Sequence, residues 1–141
     1  MNLSPHFSLE ELTRTDHREF DNTPPEEVMP NLRRMAFLME QVREVLVQPI
    51  IVTSGYRSKQ VNDAVGSKDT SQHRLGCAVD FRCTQLKPDN IVKMLRASKV
   101  PFDQLIREFD SWTHISIPSV AGAAPRGQVL IIDRQGTRIY A

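Results

Sequence analysis

The 141-residue sequence has no apolar run near the roughly 20 residues that a membrane-crossing helix needs, which excludes a helical span. It also lacks a charge excess, because 18 basic residues meet 17 acidic ones and the formal net charge is +1. A protein that grips nucleic acid electrostatically shows a large basic excess or a basic block. Neither is present, and no nucleic-acid partner is expected. Cysteine is scarce, with only Cys77 and Cys83, in a segment that reads as a strand. At about 3.3 Å per strand residue the two stand about 20 Å apart, beyond the roughly 7 Å that a disulfide spans. No internal disulfide is expected, which suits a reducing compartment, and the spacing fits no zinc-knuckle pattern. The sequence has no internal repeat, no glycine-rich phosphate loop and no Gly-x-Ser-x-Gly elbow. Its start, Met1-Asn2-Leu3-Ser4-Pro5-His6, lacks a basic stretch followed by an apolar one. No secretory signal is read there, and synthesis in the cytoplasm is expected.

What is present is an ordinary globular mix, 40% hydrophobic and 25% charged, which argues against wholesale disorder. The length fits one domain over residues 1–141 with a core of its own, expected to act as a monomer. Ser8 and Glu11 form a capping-box pattern, with Phe7 and Leu12 placed as a hydrophobic staple, so a short helix starts there. Residues 16–27 hold Pro24-Pro25 and read as loop. After Pro30, Leu32, Met35, Ala36, Met39, Val42 and Leu46 recur at spacings of three and four, the stripe of an amphipathic helix that Pro49 stops. Residues 49–53 read as a strand, 57–65 as a short helix and 66–71 as a polar loop. Gly76 to Cys83 alternates as a strand, with Cys77, Val79, Phe81 and Cys83 toward the core and Ala78, Asp80 and Arg82 opposite. Residues 88–98 read as a helix, and 102–109 and 112–117 as strands separated by a polar turn. Ile115 and Ile117 face the core, while Trp112, His114 and Ser116 share the other face. Residues 129–132 and 137–140 flank a turn as a final hairpin. Helices come first and strands cluster later, which predicts an α+β fold with helices packed on a mainly antiparallel sheet.

Two of the four histidines sit in a metal-inviting context. His73 precedes a strand on which Asp80 lies among small neighbours, and His114 shares its strand face with Trp112 and Ser116. Two imidazoles and a carboxylate suit a catalytic zinc that keeps one position for water, though the same donor set also holds iron. His6 and His17 have no such context and read as surface or packing residues. Taken residue by residue, a loop histidine, a structural strand aspartate and a packed strand histidine explain the three equally well. Cys77 falls on the opposite face and reads as a small buried hydrophobe.

The surrounding pattern decides between these readings. Ser71 to Asp80 spells Ser-x-His-x-x-Gly-x-Ala-x-Asp, residues 112–116 spell Trp-x-His-x-Ser, and Ser54-Gly55-Tyr56-Arg57-Ser58 stands upstream. Together these resemble the zinc D-Ala-D-Ala carboxypeptidase family of peptidoglycan peptidases, whose fold is shared with the hedgehog signalling domain. The opening Phe7-Ser8-x-x-Glu11-Leu12 and the run Asp103-Gln104-Leu105-Ile106-Arg107-Glu108-Phe109 resemble its compact phage and prophage, endolysin-like branch. The resemblance covers about residues 7–116 and fades in the final hairpin. It implies zinc as the metal, with His73, Asp80 and His114 as ligands. It implies that Arg57 sits near the substrate's carbonyl or carboxylate, a role that its guanidinium fork suits. Ser71 matches a serine that either bonds substrate or caps its loop. Trp112 either lines the substrate cleft or fills the core. Many relatives carry an acid three residues before the third ligand, where this chain has Ser111. The catalytic base is therefore Glu108 or Asp110, and the run 103–109 favours Glu108.

The expected function is hydrolysis of a peptide bond in peptidoglycan stem peptides, by a D-Ala-D-Ala carboxypeptidase or an endolysin-type endopeptidase. Reaching the wall without a signal peptide implies release by phage lysis or delivery in a virion. The competing expectation is a non-catalytic, zinc-containing wall-binding module, for which the missing acid at position 111 is the sequence support. The remaining alternative is a metal-free α+β domain with accidental motifs.

Overall fold

The capping box at Ser8 opens the first helix. The Ser8 hydroxyl accepts from the Glu11 N–H at 3.1 Å and the Glu11 carboxylate accepts from the Ser8 N–H at 3.1 Å. In the computed structural model, which describes residues 1–141, this helix is a single turn, α1 (Leu9–Leu12). A two-stranded ribbon, β1 (Asn2–Ser4) and β2 (Phe7–Ser8), precedes it and goes unseen in the sequence pattern. Its strands are too short for alternation to register. The ribbon is fixed by Glu40, whose carboxylate accepts from the Ser4 hydroxyl and from the His6 N–H at 2.6 and 2.7 Å.

The long helix α2 (Met29–Leu46) places Pro30 in its first turn, where a missing N–H costs nothing. The predicted stripe is its buried face, joined by Leu38. Strand β3 (Ile51–Ser54), helix α3 (Lys59–Ala64) and strand β4 (Ala78–Arg82) follow. Then come α4 (Pro88–Arg96), β5 (Gln104–Glu108), β6 (Trp112–Ser116), β7 (Gln128–Asp133) and β8 (Gly136–Ile139). Strands β3 to β8 form one six-stranded sheet in the order β3-β4-β6-β5-β7-β8. Each of its strands alternates between two faces. Val52, Val79, Phe81, Leu105 and Ile115 point to the side that holds α2 and α4, in a core cluster of 25 buried residues. Cys77 and Cys83 are buried in that cluster as free thiols.

The sheet is mixed, because β5 and β7 run parallel, while its other four pairings are antiparallel. The α+β class holds. After the β5–β6 hairpin, residues 117–127 carry the chain past the start of β5 and release it in the same direction. Asp103, at that start, anchors the return. Its carboxylate accepts from the Arg126 backbone N–H at 2.9 Å and from the Arg126 guanidinium at 2.7 to 3.1 Å. Its carbonyl accepts from the Gln128 N–H at 3.0 Å. A buried carboxylate needs such partners. The one that arrives from a distant loop sets the direction of β7, which local sequence pattern does not encode.

Candidate metal centre and active-site cleft

The other face of the sheet lies away from α2 and α4, and its cross-strand register lines up the chemistry. Ser54 pairs with Asp80, and Asp80 with His114. Both Asp80 and His114 are buried at the floor of a cleft of ≈ 500 Å³, which Arg57, His73, Glu108 and Trp112 also line.

His73 reaches this face from a 3-10 turn, Gln72–Leu75, rather than from an irregular loop. Ser71 caps the turn, its hydroxyl accepting from the His73 N–H at 3.2 Å, and it also lines the cleft. Gly76 closes the turn at φ +74, a left-handed conformation that glycine adopts freely. Gln72 ties the turn to the sheet by donating to the Asp103 carboxylate at 3.1 Å and to the Ile117 carbonyl at 2.9 Å. The His73 Nδ1 lies 2.7 Å from the Gly55 carbonyl oxygen. A carbonyl only accepts, so Nδ1 carries the proton and the Nε2 lone pair is directed into the cleft. Gly55 permits this arrangement by its missing side chain, since a Cβ there would stand 2.0 Å from the Leu12 carbonyl oxygen.

His73 Nε2 is 3.3 Å from Asp80 Oδ1, and His114 Nδ1 is 2.9 Å from the same oxygen. Donors about 2.1 Å from one tetrahedral ion stand about 3.4 Å apart, so this trio is spaced for a shared metal. All three ligand atoms lie within 4.8 Å of one another. Burial pushes the His73 imidazole down in pKa, against the pull of Asp80. The same burial opposes charge on Asp80, yet the two histidines hold its carboxyl well below the usual carboxylate range. A neutral imidazole and an ionised carboxylate are the ligand forms a divalent ion requires.

Arg57 flanks Asp80. Its Nε donates to the Ser54 hydroxyl at 3.1 Å and one Nη to Asp80 Oδ2 at 3.2 Å. Glu108 stands on the opposite flank, with Oε1 4.0 Å from His114 Nδ1. Burial first, and then the Asp80 charge, raise the pKa of its carboxyl. Asp110 is elsewhere. It pairs with the Arg107 Nε at 3.0 Å, its side chain is 71% exposed, and it lies outside the cleft. Both carboxylates belong to one tight hairpin, in which the Ser111 N–H donates to the Glu108 carbonyl at 3.0 Å. The turn residues Phe109 and Asp110 take φ of 54° and 51°. That is the hairpin geometry that aspartate tolerates and phenylalanine does not. Phe109 is nevertheless held there, half-exposed over the cleft, with its ring 5.7 Å from that of Trp112.

A family model described as Peptidase M15 matches residues 5–116. The chain belongs to the peptidase M15 family. No curated protein matches the sequence. Peptidases of this family are zinc-dependent, which makes zinc the metal that the His73–Asp80–His114 cluster fits. The M15 match ends at Ser116, so the loop after β6 and the β7–β8 hairpin lie outside it. No helix of this peptidase is long and apolar enough to cross a membrane.

Sequence reasoning missed four contributors to the site. Gly55 acts through its carbonyl, and the sequence offered it only as one letter of the run Ser54-Gly55-Tyr56-Arg57-Ser58 at the end of β3. Asp103 appeared only as one letter of a motif. Ile106 and Leu130 lie on the metal-bearing face, and their signal was unbroken apolar sequence, Leu105-Ile106 in β5 and Val129-Leu130-Ile131-Ile132 in β7. Such a run marks a strand with both faces occupied.

Proposed function

We propose that this M15 peptidase hydrolyses a peptide bond within the stem peptides of bacterial peptidoglycan, with zinc held by His73, Asp80 and His114. The observation that carries the reading is the convergence of two imidazoles, a carboxylate, a second, half-buried carboxylate and a guanidinium in one cleft. Bound there, zinc supplies Lewis acidity, polarising the scissile carbonyl and lowering the pKa of water toward about 7.

Glu108 takes a proton from the attacking water and later delivers it to the leaving amine. The water oxygen ends on the new carboxylate, and the carbon–nitrogen electron pair leaves with the amine. Glu108 is better placed than Asp110 because it is in the cleft and no cation is bonded to it, whereas Arg107 occupies Asp110. It thereby supplies the carboxylate that Ser111 lacks. Arg57 spends Nε and one Nη on Ser54 and Asp80, and its other Nη is left for the substrate carbonyl or carboxylate. Such a fixed donor stabilises charge that develops in the transition state. Phe109 and Trp112 form an aromatic wall that excludes water. Ser71 is assigned to the turn and, through its place in the cleft, to the substrate backbone. Delivery to the wall by phage lysis or in a virion belongs to the same proposal and rests on the motif resemblance.

The test is digestion of purified peptidoglycan by zinc-loaded protein, with released fragments read by mass spectrometry. Chelator-sensitive peptide cleavage is expected, lost in His114→Ala together with bound zinc and reduced at least 100-fold in Glu108→Gln with zinc retained. Turnover by zinc-free His114→Ala would overturn the mechanism. Intact peptidoglycan with zinc still bound would favour a non-catalytic module.

A further inference from the structure

Glu108 owes its place to its backbone. Its carboxylate has no charged partner nearer than His114 Nδ1 at 4.0 Å. The strand end and the turn that carry it are therefore what aim it at the metal site. That turn is a costly one, with Phe109 and Asp110 both left-handed at φ of 54° and 51°, and contacts from outside hold it. Two of them come from the chain after the M15 match.

The first contact is direct, since the Phe109 N–H donates to the Ile132 carbonyl on β7 at 2.8 Å. The second runs through side chains under the sheet. Arg107 precedes Glu108 and points, like Leu105, to the helix side. One Nη donates at 2.9 Å to Asp89 Oδ1 in the first turn of α4, and its Nε stands 3.0 Å from Asp110 Oδ1. A single guanidinium thus ties the Glu108 turn to a helix. The Tyr140 hydroxyl, just after β8, donates to the same Asp89 oxygen at 2.8 Å. Tyr140 is itself fixed. Its ring is buried in the core cluster with the Arg96 guanidinium 4.8 Å from its centre, and its N–H donates to the Val129 carbonyl at 3.0 Å. Its hydroxyl, with Lys93 and Arg107 adding to the pull, holds the Asp89 carboxyl down at about 2. The carboxylate therefore keeps its charge for the bond to Arg107.

We propose that Tyr140 is a positioning residue for catalysis, acting on the Glu108 turn through Asp89 and Arg107. The assignment rests on the peptidase reading, with Glu108 as the base. It makes the hairpin after the M15 match a working part of the active site, although Tyr140 lies on the far side of the sheet. A base displaced by about 1 Å loses up to about 100-fold in rate. Lys93 also pairs with Asp89, but it is exposed and takes the other oxygen, Oδ2, at 3.1 Å, so it stands outside this chain of contacts.

The experiment uses the zinc-loaded full chain with soluble muropeptides, as monomers and cross-linked dimers. Tyr140→Phe removes one hydroxyl and leaves the ring in the core. It should lower kcat about tenfold with KM and bound zinc unchanged, and shift the backbone amide NMR signals of residues 108–111 as well as those of 88–96. Arg107→Lys keeps the charge but cannot reach Asp89 and Asp110 together. Combined with Tyr140→Phe it should lose no more kcat than it does alone, because both act through Asp89. Val42→Ala opens a cavity in α2 and isolates the effect of lost stability, with a lower melting temperature and kcat unchanged. Lys93→Ala should leave kcat unchanged. Wild-type kcat in Tyr140→Phe, an equal fall of kcat in Val42→Ala, or amide shifts confined to residues 88–96 and 129–141 would overturn the proposal. Intact muropeptides with the wild type would overturn the peptidase reading instead, and the amide signals of 108–111 would still decide whether Tyr140 holds the turn.

Discussion

The two faces of the six-stranded sheet are built from the same strands and do opposite work. Under the helices, Val79, Phe81, Leu105 and Ile115 are fully buried and contribute area removed from water. One residue along each strand, Asp80, Ile106 and His114 face the other side, and two of these three are polar groups kept from water. A buried polar group is tolerated only with partners, and here the partners are one another. Asp80 is held between His73, His114 and Arg57. The helix side therefore holds most of the stability, and the open side spends some of it to keep a charged cluster in place. The period-two alternation of a strand sorts the two roles residue by residue.

Substitutions that trade one face against the other test this division. Phe81→Ala removes a ring with no exposure and should cost about 3–5 kcal/mol, read as a lower urea midpoint, with zinc affinity unchanged in the molecules that remain folded. Its counterpart, His114→Ala, should abolish zinc binding while moving the midpoint of the metal-free protein far less. Equal losses of stability from the two would contradict the division of labour.

Asp103 links the faces, since it holds both the His73 turn and the loop into β7. The Arg126 guanidinium beside it keeps its carboxyl below the ordinary value, with the Gln72 amide adding to that pull. A depressed folded-state pKa contributes stability above the unfolded value of about 3.9, and that contribution is lost as pH falls through the folded value. Asp103→Asn should cost about 1–3 kcal/mol at pH 7 and narrow its gap to the wild type at pH 3. Chemical denaturation at the two pH values checks this, and a gap that widens in acid would contradict it.

The smallest effect has the opposite sign. Phe109 is in a left-handed conformation that costs an L-residue about 1–2 kcal/mol, and glycine recovers part of this at its own entropic cost. Phe109→Gly should leave stability unchanged or raise it by up to about 1 kcal/mol, while kcat/KM on peptidoglycan fragments falls about tenfold. A loss of stability together with unchanged turnover would show that the ring serves packing instead of the cleft.

What could be read from the sequence divides along the same physical line. The α2 stripe and the β4 alternation repeat with a fixed period, so Leu32 to Leu46 and Cys77 to Cys83 fell on their core-facing sides. The ligand set was legible only through the motif resemblance, since the three residues taken singly fit other roles equally well, and His73, Asp80 and His114 do converge. The parallel run of β7 was not legible, because a bond between Asp103 and Arg126, 23 positions apart, sets it. The β1–β2 ribbon depends likewise on Glu40, more than 30 residues away. The carbonyl of Gly55 has no sequence signature at all, since every residue has one and only the fold brings this one to His73. Local periodicity thus gave the elements, and long-range polar contacts decided how the sheet and the site were closed.

The two cysteines, sealed in the helix-side core, have a consequence beyond packing. Burial raises the pKa of both thiols, which keeps them in the unreactive protonated form. Neither can be reached by an oxidant or by a thiol on another molecule while the fold is intact. The native chain therefore has the same covalent structure in a reducing and in an oxidising medium, and passage between them asks nothing of its chemistry.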